Sequence, residues 1–256
     1  MQDLNASLIQ CQLAWESPQD NRQQFAEIIQ DIPGTTDLIV LPEMFTTGLS
    51  MNALANAEEP GGATEQWLRD IARRHNCAVT GSIAVTTGGQ VFNRMLFATP
   101  GNLSIYDKRH LFRMAGEHKR YAPGDERVIV EWRDWRINLQ VCYDLRFPVF
   151  SRNRNDYDML IYVANWPAPR AAHWRALLIA RAIENQAAVI GVNRIGSDAN
   201  GLDYSGDSLA VAPDGKLLAD MRDEARVDQV CFDAAHLLDY REKFPCHMDA
   251  DAFNLA

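Results

Sequence analysis

Three polar residues of the sequence each stand where a predicted β-strand ends. Glu43 follows a short apolar run, Lys108 follows a strand-like segment, and Cys142 closes a segment of alternating apolar and polar residues. Together they offer a base, a cation and a nucleophile. Sites in α/β proteins gather at the carboxyl ends of strands, where rigid backbone positions side chains and loops give access. The pattern therefore predicts that the three residues share one pocket.

Cys142 is the candidate nucleophile because a polar turn follows it, which would expose its sulfur. A free thiol has a pKa of about 8.5, so it needs a base or a neighbouring cation to react at neutral pH. Glu43 could accept the thiol proton, and Lys108 could lower the thiol pKa. The structural alternatives are a buried, inert thiol and two solvated surface charges.

His110 offers a second base. It lies two residues after Lys108, and a Cys–His pair is the solution that papain-type proteases use. In an extended segment, His110 and Lys108 would share a face. The sequence offers no other support for this alternative, but residue spacing does not exclude it.

The spacing of apolar residues and the presence of turn-forming residues predict the helices and strands that would position these side chains. Helices are predicted around 25–32, over 63–76 and over 171–185. Two hairpins are predicted across the turns at 100–102 and 213–215. The predicted strands cover residues 6–11, 38–41, 77–85, 95–98, 103–106, 136–142, 159–164, 187–192, 209–211 and 216–218.

Helices that alternate with strands, together with hairpins, indicate the α/β class, with a sheet or a pair of sheets covered by helices. The sequence contains no linker, repeat or low-complexity tract. We therefore expect a single domain over residues 1–256.

The composition narrows the classes of function. The 256 residues include 25 Lys and Arg against 34 Asp and Glu, a formal net charge of −9. This balance argues against nucleic acid or an anionic membrane as the main partner. The sequence shows no apolar run of membrane-spanning length and no signal peptide, so we expect a cytoplasmic protein. The spacing of its cysteines and histidines gives no support for a metal site or a disulfide framework.

Three segments resemble the nitrilase, or carbon–nitrogen hydrolase, superfamily. They are Leu-Pro-Glu-Met-Phe at 41–45, Tyr-Asp-Lys-Arg-His-Leu-Phe at 106–112 and Val-Cys-Tyr-Asp-Leu-Arg-Phe-Pro at 141–148. Their order and separation match the Glu–Lys–Cys triad of that superfamily. The resemblance implies that Cys142 is the nucleophile, Glu43 the general base and Lys108 the cation that stabilises the tetrahedral intermediate.

The same resemblance implies further properties. Glu117 precedes Tyr-Ala-Pro-Gly at 121–124 and so matches a second glutamate of the superfamily. The backbone N–H of Tyr143 would bind the oxyanion. The implied fold is a four-layer α-β-β-α sandwich, usually a homodimer, and the implied chemistry needs no cofactor.

The residues after the cysteine favour one branch. In true nitrilases the cysteine is followed by Trp-Glu, whereas in this chain Tyr143 and Asp144 follow Cys142. Together with Asn-Trp-Pro at 165–167, these residues make the chain resemble the omega-amidases. Those enzymes hydrolyse the terminal amide of dicarboxylate monoamides such as 2-oxoglutaramate or succinamate. Val149 departs from the acidic residue that many relatives carry. The alternatives are an N-carbamoyl-amino-acid or aliphatic amide hydrolase, and a non-catalytic metabolite-binding module.

A substrate carboxylate requires a local cation in this acidic chain. Arg170 lies near the mouth of a predicted strand, and the loop 108–120 is rich in lysine and arginine. Arg146 is in the turn after the cysteine, with a structural role as its alternative. Trp166 could form a wall of the acyl pocket, or could simply belong to the core.

Overall fold

Two six-stranded mixed sheets lie face to face in the computed structural model, which describes residues 1–254. In spatial order, the first sheet consists of β14 (Arg226–Phe232), β1 (Leu4–Gln10), β2 (Leu38–Val40), β3 (Ala78–Thr87), β4 (Gln90–Ala98) and β5 (Leu103–Asp107). Strands β1, β2 and β3 are parallel to one another, and the other pairs are antiparallel.

The second sheet repeats this plan, with a parallel centre and antiparallel edges. Its strands, in spatial order, are β13 (Leu217–Asp220), β12 (Leu209–Val211), β9 (Ala188–Asn193), β8 (Met159–Ala164), β7 (Trp135–Val141) and β6 (Ile129–Trp132). A separate two-stranded ribbon is formed by β10 (Ile195–Ser197) and β11 (Asp203–Ser205).

Helices cover the outer faces of the sheets. They are α1 (Pro18–Gln30), α2 (Ala53–Asn56), α3 (Ala63–His75), α4 (Pro148–Ser151), α5 (Ala171–Asn185) and α6 (Ala234–Lys243). Helices α1 and α3 bury Phe25, Ile29 and Leu68 against the first sheet, and α5 buries Trp174 and Leu178 against the second. The layer order is therefore α-β-β-α, and the predicted α/β four-layer sandwich is confirmed.

The inner faces of the two sheets form one continuous apolar core, to which β2 contributes Leu38 and Val40, while Ile39 packs against the helices outside. Strands β2 and β8 are therefore buried at every position. Parallel strands that are covered on both faces read as unbroken apolar runs. Strand β7 differs from its alternating sequence pattern, because both of its faces are buried, including Asn138 and Gln140. Each of these strands ends at the same rim, where the polar residues follow.

Helix α1 ends two residues before the predicted boundary at 32. Ile32 is still buried, but it precedes Pro33, and the residue before a proline disfavours the helical conformation. Within residues 1–254, no helix combines the length and the apolar character needed to cross a bilayer. That the whole chain, 1–256, forms one domain stays a prediction.

Gly191 in β9 packs directly under α5, and a Cβ there would lie 2.3 Å from Leu178 Cδ1 and 2.9 Å from Trp174. We expect Gly191→Ala to lower the free energy of unfolding by about 1–3 kcal/mol, because the core must shift to accept the methyl group. Urea unfolding measures the change. Gly34→Ala is the control, since a Cβ at Gly34 meets nothing within 4 Å; equal stability of the two variants would contradict this packing.

Candidate active site

Glu43, Lys108 and Cys142 are brought together at the rim of the two sheets. The Lys108 ammonium donates to Glu43 Oε1 at 2.8 Å. The Cys142 thiol donates to the Asn165 carbonyl at 4.0 Å, and the N–H of the same residue donates to Glu43 Oε2. Glu43 and Lys108 are fully buried, and Cys142 is only 6% exposed. The prediction that the Cys142 elbow would expose its sulfur is therefore wrong, because Cys142 lies at the bottom of a cleft whose lining includes Phe112, after β5, and Trp166, after β8.

Glu117, the predicted fourth member, completes this cluster from the 3₁₀-helix Glu117–Lys119. The Lys108 ammonium donates to both of its carboxylate oxygens at 3.0 Å, and the Phe112 backbone N–H donates to Oε2 at 2.5 Å. Glu117 is fully buried. Lys108 thus lies between two carboxylates.

The turn that carries Glu43 is fixed to both sheets. Met44 adopts a positive φ of 45°, and the backbone N–H groups of Met44 and Phe45 donate to the side-chain and main-chain oxygens of Ser82 at 2.9 and 3.0 Å. From the second sheet, the Asn165 backbone N–H donates to Glu43 Oε2 at 2.6 Å. Glu43 therefore has little freedom to move.

Lys108 directly follows β5, and hydrogen bonds fix both its backbone N–H and its carbonyl. Its N–H donates to the Asn93 carbonyl at 2.9 Å, and its own carbonyl accepts from the Gly124 N–H at 3.0 Å. A Cβ at Gly124 would lie 2.2 Å from the Asp107 carbonyl oxygen, so only glycine allows this approach.

Cys142 stands at a sharp turn between β7 and the 3₁₀-helix Cys142–Arg146. Its φ of 47° is left-handed, a conformation that costs free energy for any residue with a Cβ. The carboxylate of Asp144 stabilises the turn by accepting the Val141 N–H at 3.0 Å. Such a turn directs the side chain away from the strand, toward the rim.

His110 has a different partner from the one that the Cys–His alternative requires. Its backbone N–H and its ring Nδ1 lie 2.9 and 2.7 Å from Asp144 Oδ1, and its ring stacks on Phe147 at 3.9 Å. The Tyr106 hydroxyl donates to Asp144 Oδ2 at 2.7 Å. His110 therefore links the Lys108 loop to the Cys142 turn.

The charges around Lys108 favour its protonated form. Burial alone would lower the pKa of Lys108, but the carboxylates of Glu117 and Glu43 outweigh it and raise that pKa well above its usual value. Burial raises the pKa of Glu117, and the charge on Glu43 adds to this, while Lys108 opposes it. Lys108 is consequently a permanent cation at neutral pH rather than a base.

The thiol pKa moves in the opposite direction to the one expected from Lys108 alone. Burial, followed by the negative charge on Glu43, raises the pKa of Cys142 well above its usual value, although Lys108 lowers it. The resting thiol therefore keeps its proton at neutral pH. A base in contact with the sulfur is required for attack, and Glu43 is in the position to be that base.

The cleft that opens onto Cys142 contains two arginines. The Arg146 guanidinium lies 4.7 Å from the centre of the Trp166 ring, and the Arg170 guanidinium lies 5.3 Å from that of Phe112. The lining residues are Phe112, Cys142, Tyr143, Arg146, Asn165, Trp166, Pro167 and Arg170. All three residues predicted to bind substrate, Tyr143, Trp166 and Arg170, are therefore in this cleft, as is Arg146.

The basic loop 108–120 contributes differently. Lys108 is in the buried cluster, while Arg113, Lys119 and Arg120 are exposed. Arg109 donates to the Asp125 carbonyl at 3.1 Å, away from Cys142. The two arginines that line the cleft thus come from the segments after β7 and β8.

Two residues of the site were not singled out from sequence. Asn93 donates to Glu43 from β4, and Asn165 holds both the main chain and the side chain of Glu43. Asn165 carries the same signal as Glu43 and Cys142, since it is a polar residue that follows a buried strand. Asn93 has a weaker signal, a neutral polar residue within an apolar strand.

A His110→Phe substitution separates the two candidate bases. We expect kcat to fall less than tenfold, because phenylalanine keeps the stacking on Phe147 and loses only the contact of the ring with Asp144. Turnover is measured as the ammonia released from a monoamide such as succinamate. Cys142→Ala in this assay defines complete loss of kcat. A decrease in His110→Phe close to that of Cys142→Ala would support the Cys–His pair instead.

Comparisons with known proteins identify the family of this chain. The family model for carbon–nitrogen hydrolases matches residues 5–235. The chain is 50% identical over 258 residues to the omega-amidase YafV of Escherichia coli (strain K12), with all of both chains covered. It is 33% identical to a 2-oxoglutaramate amidase of Bacillus subtilis (strain 168), covering 95% of this chain and 96% of the relative.

Solved structures show the same fold. The CN-hydrolase superfamily protein XC1258 of Xanthomonas campestris, which has an arsenic adduct in its active site, superposes with a TM-score of 0.98 at 47% identity over the whole of both chains. Saccharomyces cerevisiae Nit3 shares the fold, with a TM-score of 0.86 at 22% identity over 95% of each chain. The chain therefore belongs to the carbon–nitrogen hydrolase family.

Proposed function

We propose that this enzyme hydrolyses the terminal amide of small monoamides that carry a free carboxylate, the omega-amidase reaction, and releases ammonia. The observation that carries the proposal is a buried thiol with a carboxylate and an ammonium beside it, at the floor of a cleft that two arginines line. The names of the relatives, omega-amidase and 2-oxoglutaramate amidase, support the same reaction.

The chemistry follows from the positions of the groups. The Cys142 sulfur attacks the amide carbon while Glu43 takes the thiol proton. Negative charge then develops on the carbonyl oxygen and is stabilised by the Lys108 ammonium and the Tyr143 N–H. The N–H groups at the start of a helix have no acceptor within it, so Tyr143 has a donor to offer.

The second half of the reaction reuses the same groups. Glu43 passes the proton to the leaving nitrogen, ammonia departs and a thioester remains on Cys142. Water activated by Glu43 then hydrolyses the thioester and restores the thiol. Each step is carried by side chains of the protein, so we propose no cofactor.

Recognition of the substrate carboxylate is assigned to Arg170, with Arg146 as a second cation in the same cleft. Stacking on aromatic rings holds both guanidinium groups in place. Trp166 is itself fixed, because its N–H donates to Asn193 Oδ1 at 2.8 Å and its indole N–H donates to the Arg170 carbonyl at 2.8 Å. We propose that Trp166 forms the wall of the acyl pocket.

We also propose that the protein acts as a homodimer in the cytoplasm, with neither nucleic acid nor a membrane as a partner. The formal net charge of −9 and the family resemblance support this. Sedimentation of the purified chain tests the dimer.

Discrimination between substrates tests the carboxylate requirement. We expect kcat/KM to be about 10- to 100-fold higher for succinamate than for neutral succinamide, since a hydrogen bond to a charged group contributes about 1.5–3 kcal/mol. Arg170→Met is expected to remove most of this preference. Arg113→Met, which changes an exposed loop arginine, is the matched control. Equal rates for the two substrates with the wild-type enzyme would rule out a charge-paired site.

Glu117→Gln tests the role of the second carboxylate, which we propose is to hold Lys108 and the substrate amine. The new amide cannot accept hydrogen bonds at both of its terminal atoms. We expect kcat to fall about 10- to 100-fold, less than the 10²–10³ typical of a lost oxyanion donor. Glu131→Gln on the exposed side of β6 is the control. Unchanged turnover of Glu117→Gln would refute this role.

A further inference from the structure

Asn93 is a fully buried amide in β4 that contacts all three charged residues of the cluster. Its Nδ2 donates to Glu43 Oε1 at 2.7 Å and to Glu117 Oε1 at 3.3 Å. Its backbone carbonyl accepts the Lys108 N–H at 2.9 Å. Asn93, which is itself neutral, therefore fixes the main chain at Lys108 and donates hydrogen bonds to both carboxylates.

The orientation of the Asn93 amide shows that it serves as a donor. Its Oδ1 is buried without a hydrogen-bond partner in the described part of the chain. Leaving a buried acceptor unsatisfied costs free energy. The opposite orientation would cost more, because the amide oxygen would then face the oxygens of Glu43 and Glu117.

The charge of the cluster explains why such a donor is needed. The two carboxylates of Glu43 and Glu117 outnumber the one ammonium of Lys108, so the cluster carries an excess negative charge away from water. Burial and mutual repulsion both favour protonation of such a pair. Protonated Glu43 could not accept the proton of Cys142. The hydrogen bond that Asn93 donates to the ionised carboxylate opposes this protonation and so preserves the base.

We propose that Asn93 is a positioning residue that stabilises the carboxylates of Glu43 and Glu117 by donating hydrogen bonds to both and that holds Glu43 Oε1 in place as the base. The proposal rests on the proposed function, in which Glu43 deprotonates Cys142. It assigns to Asn93 no contact with substrate.

The test is Asn93→Leu, which keeps the branched shape of the side chain and removes the donor. A hydrogen bond donated to a carboxylate stabilises its ionised form, so without this donor the acid limb of the kcat/KM–pH profile is expected to move upward by about one pH unit. The titratable groups that face Glu43 are Lys108, Glu117 and Cys142, with the more distant phenols Tyr121 and Tyr204, and the variant leaves all of them unchanged.

A second measurement needs no substrate. Iodoacetamide alkylates Cys142 when the sulfur displaces iodide and the thiol proton passes to the carboxylate pair. Its rate against pH, followed by mass spectrometry of the Cys142 peptide, is expected to show the same upward shift in Asn93→Leu. Asn138→Leu is the matched control, a fully buried strand asparagine of the second sheet whose Oδ1 accepts from Gln140 at 3.0 Å.

The outcomes separate this role from a structural one. An acid limb that stays in place in Asn93→Leu, or one that moves equally in Asn138→Leu, overturns the proposal. If Asn93→Leu does not fold, Asn93→Ala removes the same donor without adding bulk, and the same shift is expected. If the wild type releases no ammonia from any monoamide, the proposed function fails, whereas the alkylation profiles still decide the role of Asn93.

Discussion

The buried ammonium of Lys108, held between the carboxylates of Glu43 and Glu117, is the interaction on which the site depends. Removing three charges from water is costly, and the cost is offset only when their geometry is good and the remaining hydrogen-bonding atoms are satisfied. Here the ammonium contacts of 2.8–3.0 Å and the N–H donors of Asn93, Asn165 and Phe112 satisfy every oxygen of the two carboxylates. The strands on which these residues lie or end must therefore keep their register, because a shift of one residue would leave a charge unpaired.

A third buried carboxylate, that of Asp144, connects this cluster to the nucleophile. It accepts the Val141 N–H beside Cys142, the His110 N–H from the Lys108 loop and the Tyr106 hydroxyl from β5. These bonds join the two sheets at the rim and compensate for the left-handed backbone at Cys142. The position of the sulfur is thus a property of both sheets rather than of the turn alone.

The Cys142 thiol and the Lys108 ammonium keep their protons for different physical reasons. Burial keeps the Cys142 thiol protonated until a base removes the proton, while the neighbouring carboxylates keep Lys108 charged. Closer to solvent, Arg146 and Arg170 provide positive charge in a chain whose formal net charge is −9. The cleft is therefore locally favourable for an anionic substrate even though the chain as a whole would repel it.

The sequence by itself determined the α/β class, the strand ends and the three residues that follow them, because hydrophobic periodicity and turn residues are local signals. It also indicated Glu117 through family resemblance, and Tyr143, Trp166 and Arg170 through their places after predicted strands. Only the tertiary structure decided that Cys142 is buried with a raised pKa, that His110 pairs with Asp144, and that Asn93 joins the charged cluster. The reason is physical: pKa values and hydrogen-bond partners depend on desolvation and on distances between atoms far apart in the chain, which no local pattern encodes.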